Sequence, residues 1–570
     1  MTETIADAAA TPNASESLKV APQADRPHPI SWPHRLAVAV LVAVPAVGQS
    51  RYGWGDVGHL EEWSTYRRLD QDGPLFWITG DSTYNASMLR PMQLAPASLA
   101  YLIDSDSFAG YHPLAAAALA LRAWAMYMLA CALGSSRQAA AVGGLLFALF
   151  PAWQGALTTR LLHFNVAAGA ITIAAWLLLR AARRTRPGEL IAMGLLTGLG
   201  LAIYEAYYPI VVLVPLLLLA IGVSGRRLAA LAAAWYVVPV ANAVRMAWVW
   251  RYGPPQYQEV LVEGSSGASF GDLLRLAARV WSGAAVRLVR PWHGWSLAPL
   301  TLIVAAVAVA AAISIAAHDD RLGGHRAAGN SRQRRVRLLL ALGLYASFPL
   351  IAAVYAGFAV HLRDPQRIFY AVAFPAALAF AVLLDLVPRR TARAGIGAMV
   401  AAAVVVGAFA QRRHWHDVST FQARTLGAVA TAYSEHGAPP ELVLLDPTGH
   451  TGGIFTLHPG FVEIDLRYLF QRSDISVTVC HADAAERPSL PVGDPCWSDS
   501  HEIALDDGRL VPTAKVLTLQ LSRGGVEYVD GPTGPVLTVP DRVRAALDCV
   551  SDSSCAPLPS PDGLEAPGLE

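Results

Sequence analysis

The sequence predicts a mainly α-helical, polytopic membrane protein: about eleven transmembrane helices in a bundle, followed by a small extracytoplasmic α/β domain. Three observations predict it. The 570 residues are 54% hydrophobic and only 15% charged, where a soluble chain carries roughly a quarter charged residues. Apolar runs close to span length recur between residues 33 and 410. Short arginine-rich links alternate along the chain with longer links that hold most of the acids. The formal net charge of +1 gives no field that would gather nucleic acid.

Residues 1–32 are polar and rich in Ala, Pro and Ser, the composition of a disordered cytoplasmic tail. The apolar run at 36–47 has no basic region at the chain start before it, so it is expected to stay as a first span and not to act as a cleaved signal. The predicted spans are 33–50, 113–133, 139–156, 165–182, 190–206, 209–223, 228–250, 297–317, 338–359, 368–387 and 395–410. One set of links carries Arg137, then Arg183, Arg184 and Arg186, then Arg226 and Arg227, then the group from Arg321 to Arg337, and finally Arg389, Arg390 and Arg393. The positive-inside rule makes these links cytoplasmic. Acids fall in the alternate links, from Asp56 to Asp106, at Glu259, Glu263 and Asp272, and at Asp364. The N-terminus is then cytoplasmic, and everything after Gln411 lies on the other side.

Two outer links are long, 51–112 and 251–295. The first concentrates acids: Asp56, Glu61, Glu62, Asp70, Asp72 and Asp81, closed by Arg90-Pro91. Within the second, GDLLRLAARVWSGAAVRLVRPW spaces Leu and Val helically, either as a helix lying in the interface or as one packed on the bundle rim. From residue 411 the apolar runs shorten. HWHDVSTFQARTLGAVATAYSEHG reads as an amphipathic helix, followed by the strand-like runs ELVLLD, ISVTVC, KVLTLQLS, VEYVD and PVLTV. This is an α/β domain over 411–555 with a flexible tail at 556–570. Four of the five cysteines lie in it, and an even number on the oxidising side predicts disulfides, locally paired as Cys480–Cys496 and Cys549–Cys555. His414 and His416, two residues apart, do not share a helix face and are expected to be solvated.

Several segments resemble one family. The loop opening with Asp56 after the first span, MLRPMQLAPASLAYLI, LLFALFPAWQGALTTRLLHFNVAAGAITIAAWLLL, AIYEAYYPIVVLVP and RDPQRIFYAVAFP are similar to the GT-C superfamily of integral membrane glycosyltransferases. The likeness is to the branch with protein O-mannosyltransferases and related bacterial polyprenyl-phosphate-sugar-dependent enzymes, and it spans 33–410. It implies hexosyl or pentosyl transfer, with inversion, from a polyprenyl-phosphate-linked sugar to a glycan, lipid or protein of the cell envelope. It also implies an outer-face site with an acid of the first outer loop as base. Family members often carry a pair of acids there; here Val57 follows Asp56.

The residues make matching demands. An acceptor hydroxyl needs a general base, and Asp56, flanked by Gly55 and Gly58, suits that role. Glu61 or Glu62 would supply a second carboxylate, or hold a divalent metal if the reaction uses one. The departing lipid phosphate calls for a bidentate arginine, for which Arg367 and Arg160, with nearby His163, are the candidates, while Arg90 either closes the loop over the site and its substrate or pairs with one of the loop acids. Glu205 sits in an apolar helix end, where an acid must line a wet cavity or be paired, with Arg160 or Arg245 as structural partners; Arg122 near mid-span must face the bundle interior, with Glu205 as one partner open to it. Two other classes fit the composition: a transporter or flippase of envelope precursors, and a non-catalytic envelope assembly protein that keeps the bundle. The first expects charges near mid-span, the second a dispensable Asp56.

Overall fold

In the computed structural model the described apolar runs between residues 33 and 410 are helical. The structure describes residues 31–52, 60–79, 86–105, 108–150, 161–253, 269–289, 298–322, 331–349, 351, 369–446, 450–451, 454–455, 457, 459–470, 472–481, 502–504, 510–512, 515–522 and 525–531. The helices are α1 (Trp32–Tyr52), α2 (Leu60–Gln71), α3 (Phe76–Thr79), α4 (Ala86–Leu89), α5 (Ala95–Ile103), α6 (Tyr111–Ala132), α7 (Arg137–Ala148), α8 (Leu162–Ala181) and α9 (Pro187–Ile203). Then come α10 (Tyr208–Leu213), α11 (Leu217–Ala220), α12 (Gly225–Tyr252), α13 (Phe270–Val289), α14 (Pro299–Leu322), α15 (Ser331–Ala346), α16 (Phe369–Asp385), α17 (Arg390–Glu435) and α18 (Pro459–Leu469).

Among the described residues five helices are long and apolar enough to cross a bilayer: α6, α8, α12, residues 299–318 of α14, and α17. Shorter apolar helices cover Pro187–Ile203, Glu205–Ala220 and Tyr370–Asp385. The chain is a multi-pass membrane protein. Its exterior suits a lipid solvent: Ile191, Leu195, Val237, Val240, Val244 and Trp248 are all exposed.

Small residues set the helix spacing inside, as in other membrane bundles where backbones approach closely. A Cβ added at Gly144 on α7 would stand 2.6 Å from the Ala123 carbonyl oxygen of α6, and one at Gly200 on α9 would stand 2.5 Å from Ile171 of α8. Around these contacts α6, α7, α8 and α9 bury one continuous core with α1, α14 and α16.

The arginine-rich links meet at one end of the bundle. Arg183, after α8, donates to the Ala132 carbonyl at the end of α6 (2.7 Å), and Arg337 of α15 donates to the Gly134 carbonyl (2.8 Å). Arg337 also pairs with Asp385 at 2.7 Å, and Asp385 accepts from the Ser136 amide that opens α7. The arginines thus occupy the end of α6 where its last carbonyls lack intrahelical partners.

α17 corrects the expected boundary at residue 411. It is one uninterrupted helix of 46 residues, about 69 Å long at the α-helical rise. It starts at the arginine end and carries the chain out of the other end of the bundle. The helix stops at Gly437 (φ 79°), where the Ala438 amide donates back to the Tyr433 carbonyl at 2.9 Å, and Pro439-Pro440 prevents continuation.

The α/β unit follows. β1 (Glu441–Asp446), β4 (Ser476–His481), β7 (Leu517–Ser522) and β8 (Gly525–Asp530) form a four-stranded sheet in the order β4-β1-β7-β8. β1 runs parallel to both neighbours and β8 antiparallel to β7. Central β1 is covered on both faces, which is why ELVLLD is apolar almost throughout. Leu426, Val429 and Tyr433 of α17 pack with Val462 and Leu466 of α18 onto one side of the sheet; Val443, Cys480 and Val516 lie on the other. β2 (His450–Thr451) pairs with β3 (Ile454–Phe455), and β5 (Glu502–Ala504) with β6 (Leu510–Pro512), as short antiparallel hairpins. The predicted strand PVLTV lies outside the described residues.

α13 packs on the bundle rim. Leu276, Ala277 and Val280 are buried, and the Trp281 indole donates to the Tyr345 carbonyl of α15 at 3.1 Å, while Phe270 and Leu274 stay exposed. Its start is a reciprocal cap: the Ser269 amide and hydroxyl donate to the Asp272 carboxylate, and the Asp272 amide donates back to the Ser269 hydroxyl.

Candidate functional site

At the end of the bundle away from the arginine links, the first outer loop is fastened at both its start and its finish. At its start, α2 is held on α5 and α6 by tyrosines. The Tyr66 hydroxyl donates to the Asp104 carbonyl, its ring lies 5.2 Å from Tyr101 and 6.0 Å from Tyr111, and Tyr101 donates to Asp70 at 3.1 Å. α2 also packs against α18, so this helix joins the bundle to the α/β unit. Glu62 of α2 is only 5% exposed and acts electrostatically on Tyr111. Asp465 of α18 is equally hidden, at 2%.

At its finish the loop is latched. Arg90 donates from Nε and Nη2 to the two carboxylate oxygens of Glu205, at 2.6 and 2.5 Å, and its guanidinium lies 4.4 Å from the centre of the Tyr204 ring. Burial works against the charge on Arg90. Glu205 outweighs it, with help from Tyr204 and Tyr370, and the guanidinium's pKa stands above its ordinary value. Next to this pair, Arg245 of α12 donates to the Met88 and Leu89 carbonyls at 2.6 and 2.9 Å, and the Met92 amide donates to the Ala202 carbonyl at 3.1 Å. These bonds satisfy the last carbonyls of short α4, which has no turn beyond it to use them. Arg245 is itself set by Asn242, whose amide donates to the Tyr208 hydroxyl.

Beneath the latch lies an aromatic layer. Tyr204 meets Phe164 edge-on at 4.2 Å, and Tyr370 lies 5.0 to 5.5 Å from Phe164, Tyr204 and Tyr207. His163 is half-buried, with its ring 6.4 Å from Tyr204.

The structure therefore brings together Arg90, Glu205 and His163, and places Glu62 on a separate, covered helix. Glu61 lies on the same helix, while Asp56, Arg160 and Arg367 fall outside the described residues. Two expectations are corrected. Glu205 takes Arg90 as its hydrogen-bonded partner, not Arg122; Arg122 bonds Asn165 at 2.8 Å and stacks 4.2 Å over Phe147. His414 and His416 are half-buried in the middle of α17, because the helix does not begin there. The sequence reading passed over Asp465 and the layer of Phe164, Tyr204, Tyr207 and Tyr370; the available signal was the aromatic density of YEAYYP and RIFYAV. Among the described residues no group of three or more His, Cys, Asp or Glu side chains could hold a metal ion. Cys480 is in a disulfide; Cys496, Cys549 and Cys555 lie outside the described residues.

The fold and this rim define a multi-pass membrane protein with an appended α/β unit packed on its first long loop. No protein-family model matches the chain, and no curated protein matches its sequence. Among solved structures it is similar to the crystal structure of ArnT from Cupriavidus metallidurans in the apo state, at a TM-score of 0.35 and 16% identity, over 85% of this chain and 92% of that one.

Proposed function

We propose that this protein is a membrane glycosyltransferase that moves a sugar from a polyprenyl-phosphate donor to a cell-envelope acceptor on the non-cytoplasmic side. The observation that carries the reading is the construction of the rim. The acid-bearing loop is built into the structure at both ends, by α2 between bundle and α/β unit and by the Arg90–Glu205 latch, whereas a merely connecting loop has no need of such anchoring. It stands at the end opposite the arginine links, the non-cytoplasmic end by the positive-inside rule.

In this reading Asp56, in the stretch joining α1 to α2, takes the proton of the acceptor hydroxyl as its oxygen bonds to the anomeric carbon. The bond from that carbon to the lipid phosphate breaks on the opposite face, inverting the centre. Arg367 and Arg160 grip the leaving phosphate as its charge develops. Glu62, held in a dry place beside Tyr111, supplies the second carboxylate. Arg90, committed to Glu205, fixes the loop in place.

The test is transfer from labelled polyprenyl-phosphate sugars to envelope extract by the purified protein in vesicles. Asp56→Asn is expected to lower the rate by about 10²–10⁴-fold with the protein still folded. Undiminished transfer by that variant sinks the assignment of the base. No transfer by the wild type with any donor, together with movement of the lipid across the vesicle membrane, favours a flippase instead.

A further inference from the structure

Below the aromatic layer, near the middle of α6, lies a cation that no acid among the described residues pairs with. Arg122 is 1% exposed, and its neighbours are Asn165, which accepts from Nη1 at 2.8 Å, and the Phe147 ring at 4.2 Å from its carbon centre. Nε and Nη2 are buried with no hydrogen-bond partner. The titratable group whose field reaches it is Tyr207, also 1% exposed, and the Tyr207 hydroxyl is likewise buried without a partner. Glu205, the acid expected to answer it, is taken up by Arg90 on both oxygens.

A guanidinium enclosed in a bilayer-spanning bundle needs both its hydrogen bonds and its charge answered, because an uncompensated charge in a low-dielectric interior is among the costliest arrangements available. Water could accept the hydrogen bonds and leave the charge. The groups left over are two guanidinium nitrogens, whose three N–H bonds can only donate, and a phenolic hydroxyl with a proton of its own to donate, with an apolar ring as one wall. Donors that outnumber acceptors around one buried positive charge are the chemistry of an anion site. The buried nitrogens and hydroxyl have no contact with solvent, so a phosphate carrying a polyprenyl chain cannot thread to them, whereas a halide-sized ion needs only a transient opening.

We propose that Arg122 and Tyr207 hold a small monovalent inorganic anion, of the size and charge of chloride, inside the bundle beneath the Arg90–Glu205 latch. The ion neutralises Arg122 and fixes the Tyr207 hydroxyl, and through the Tyr207–Tyr370 contact at 5.5 Å it braces the aromatic layer above.

The experiment is thermal unfolding of the purified full chain in detergent micelles, with sodium chloride or bromide exchanged for sodium gluconate at constant ionic strength. The expected result is a saturable rise in Tm of at least about 3 °C in the halides over gluconate. The half-saturating concentration should rise at least about tenfold in Tyr207→Phe, and the response should vanish in Arg122→Gln. Should Arg122→Gln not fold, the Tyr207→Phe shift and the position of bromide in an anomalous diffraction map decide. Equal Tm in all three salts, a halide response of the same affinity in Tyr207→Phe, or a bromide peak away from these two residues overturns the proposal.

Discussion

Replacing Glu205 and Arg90, singly and together, tests whether the latch holds the outer loop to the bundle. The pair has two charge-assisted bonds of 2.6 and 2.5 Å, with side chains 18% and 21% exposed. At an effective dielectric near 20, opposite charges about 4 Å apart attract by about 4 kcal/mol, and desolvation takes back part of that. A coupling energy of about 2–3 kcal/mol is expected from the double-mutant cycle. The single variants should differ. Glu205→Leu strands Arg90 among Tyr204 and Tyr370 and should cost about 3–5 kcal/mol. Arg90→Met leaves Glu205 within the field of Arg245 and should cost less, about 2 kcal/mol. The measurement is denaturant unfolding in micelles, with proteolysis of the stretch between α3 and α5 as a local readout. A coupling energy under about 0.5 kcal/mol, or an Arg90→Met variant indistinguishable from an ordinary surface substitution, would refute the latch.

Gly144→Val should destabilise the bundle by about 1–3 kcal/mol, measured by thermal unfolding, because the Ala123 carbonyl leaves no room for the first added carbon. Trp235→Ala should cost about 3–5 kcal/mol in the same assay, since it empties a fully buried site and frees the Val211 carbonyl that the indole meets at 2.8 Å. Peptide mapping under non-reducing conditions should recover Cys480 joined to Cys496, and a link to Cys549 or Cys555 would replace the local pairing. The Ser269 hydroxyl and amide hold the Asp272 carboxyl below its usual pKa, so its contribution to the start of α13 is present above the ordinary carboxylate pKa and lost as pH falls through the depressed value. Titration of Asp272 by NMR should show that value moving up in Ser269→Ala.

Hydropathy was enough to locate the five long apolar helices, because in lipid every backbone group must be satisfied within its own segment and the apolar lengths follow; the expected count of eleven spans is not reached among the described residues. The end of the last span was not legible. HWHDVSTFQ breaks the apolar pattern and so reads as a new element, yet it contains no proline or turn to interrupt the backbone, and α17 runs through it. The parallel strands ELVLLD and ISVTVC were visible for the complementary reason, short β-branched and Leu-rich runs between Pro, Asp and Gly turns. At the rim, the composition of residues 51–91 pointed to Glu62 and Arg90, and an acid in an apolar helix end pointed to Glu205. Which of them meet is a property of non-local contacts: Arg90 and Glu205 stand 115 positions apart, and the end of α9 meets the link between α4 and α5 where the Met92 amide bonds the Ala202 carbonyl. Arg122 was readable as a problem but not in its answer, because a sequence shows that a charge is present in a span without showing that its neighbours are Asn165, Phe147 and Tyr207.

A bilayer's hydrocarbon takes up only about 20 residues of helix, so roughly half of α17 stands clear of it as a stiff mast. The sheet is mounted at the top of that mast, and α18 leans back onto α2 as a stay. Height above the lipid is thereby fixed in steps of about 1.5 Å per residue. Deleting or inserting a single residue in the upper half of α17 would also swing the sheet by about 100° around the shaft, parting α18 from α2 while leaving both halves of the protein individually intact.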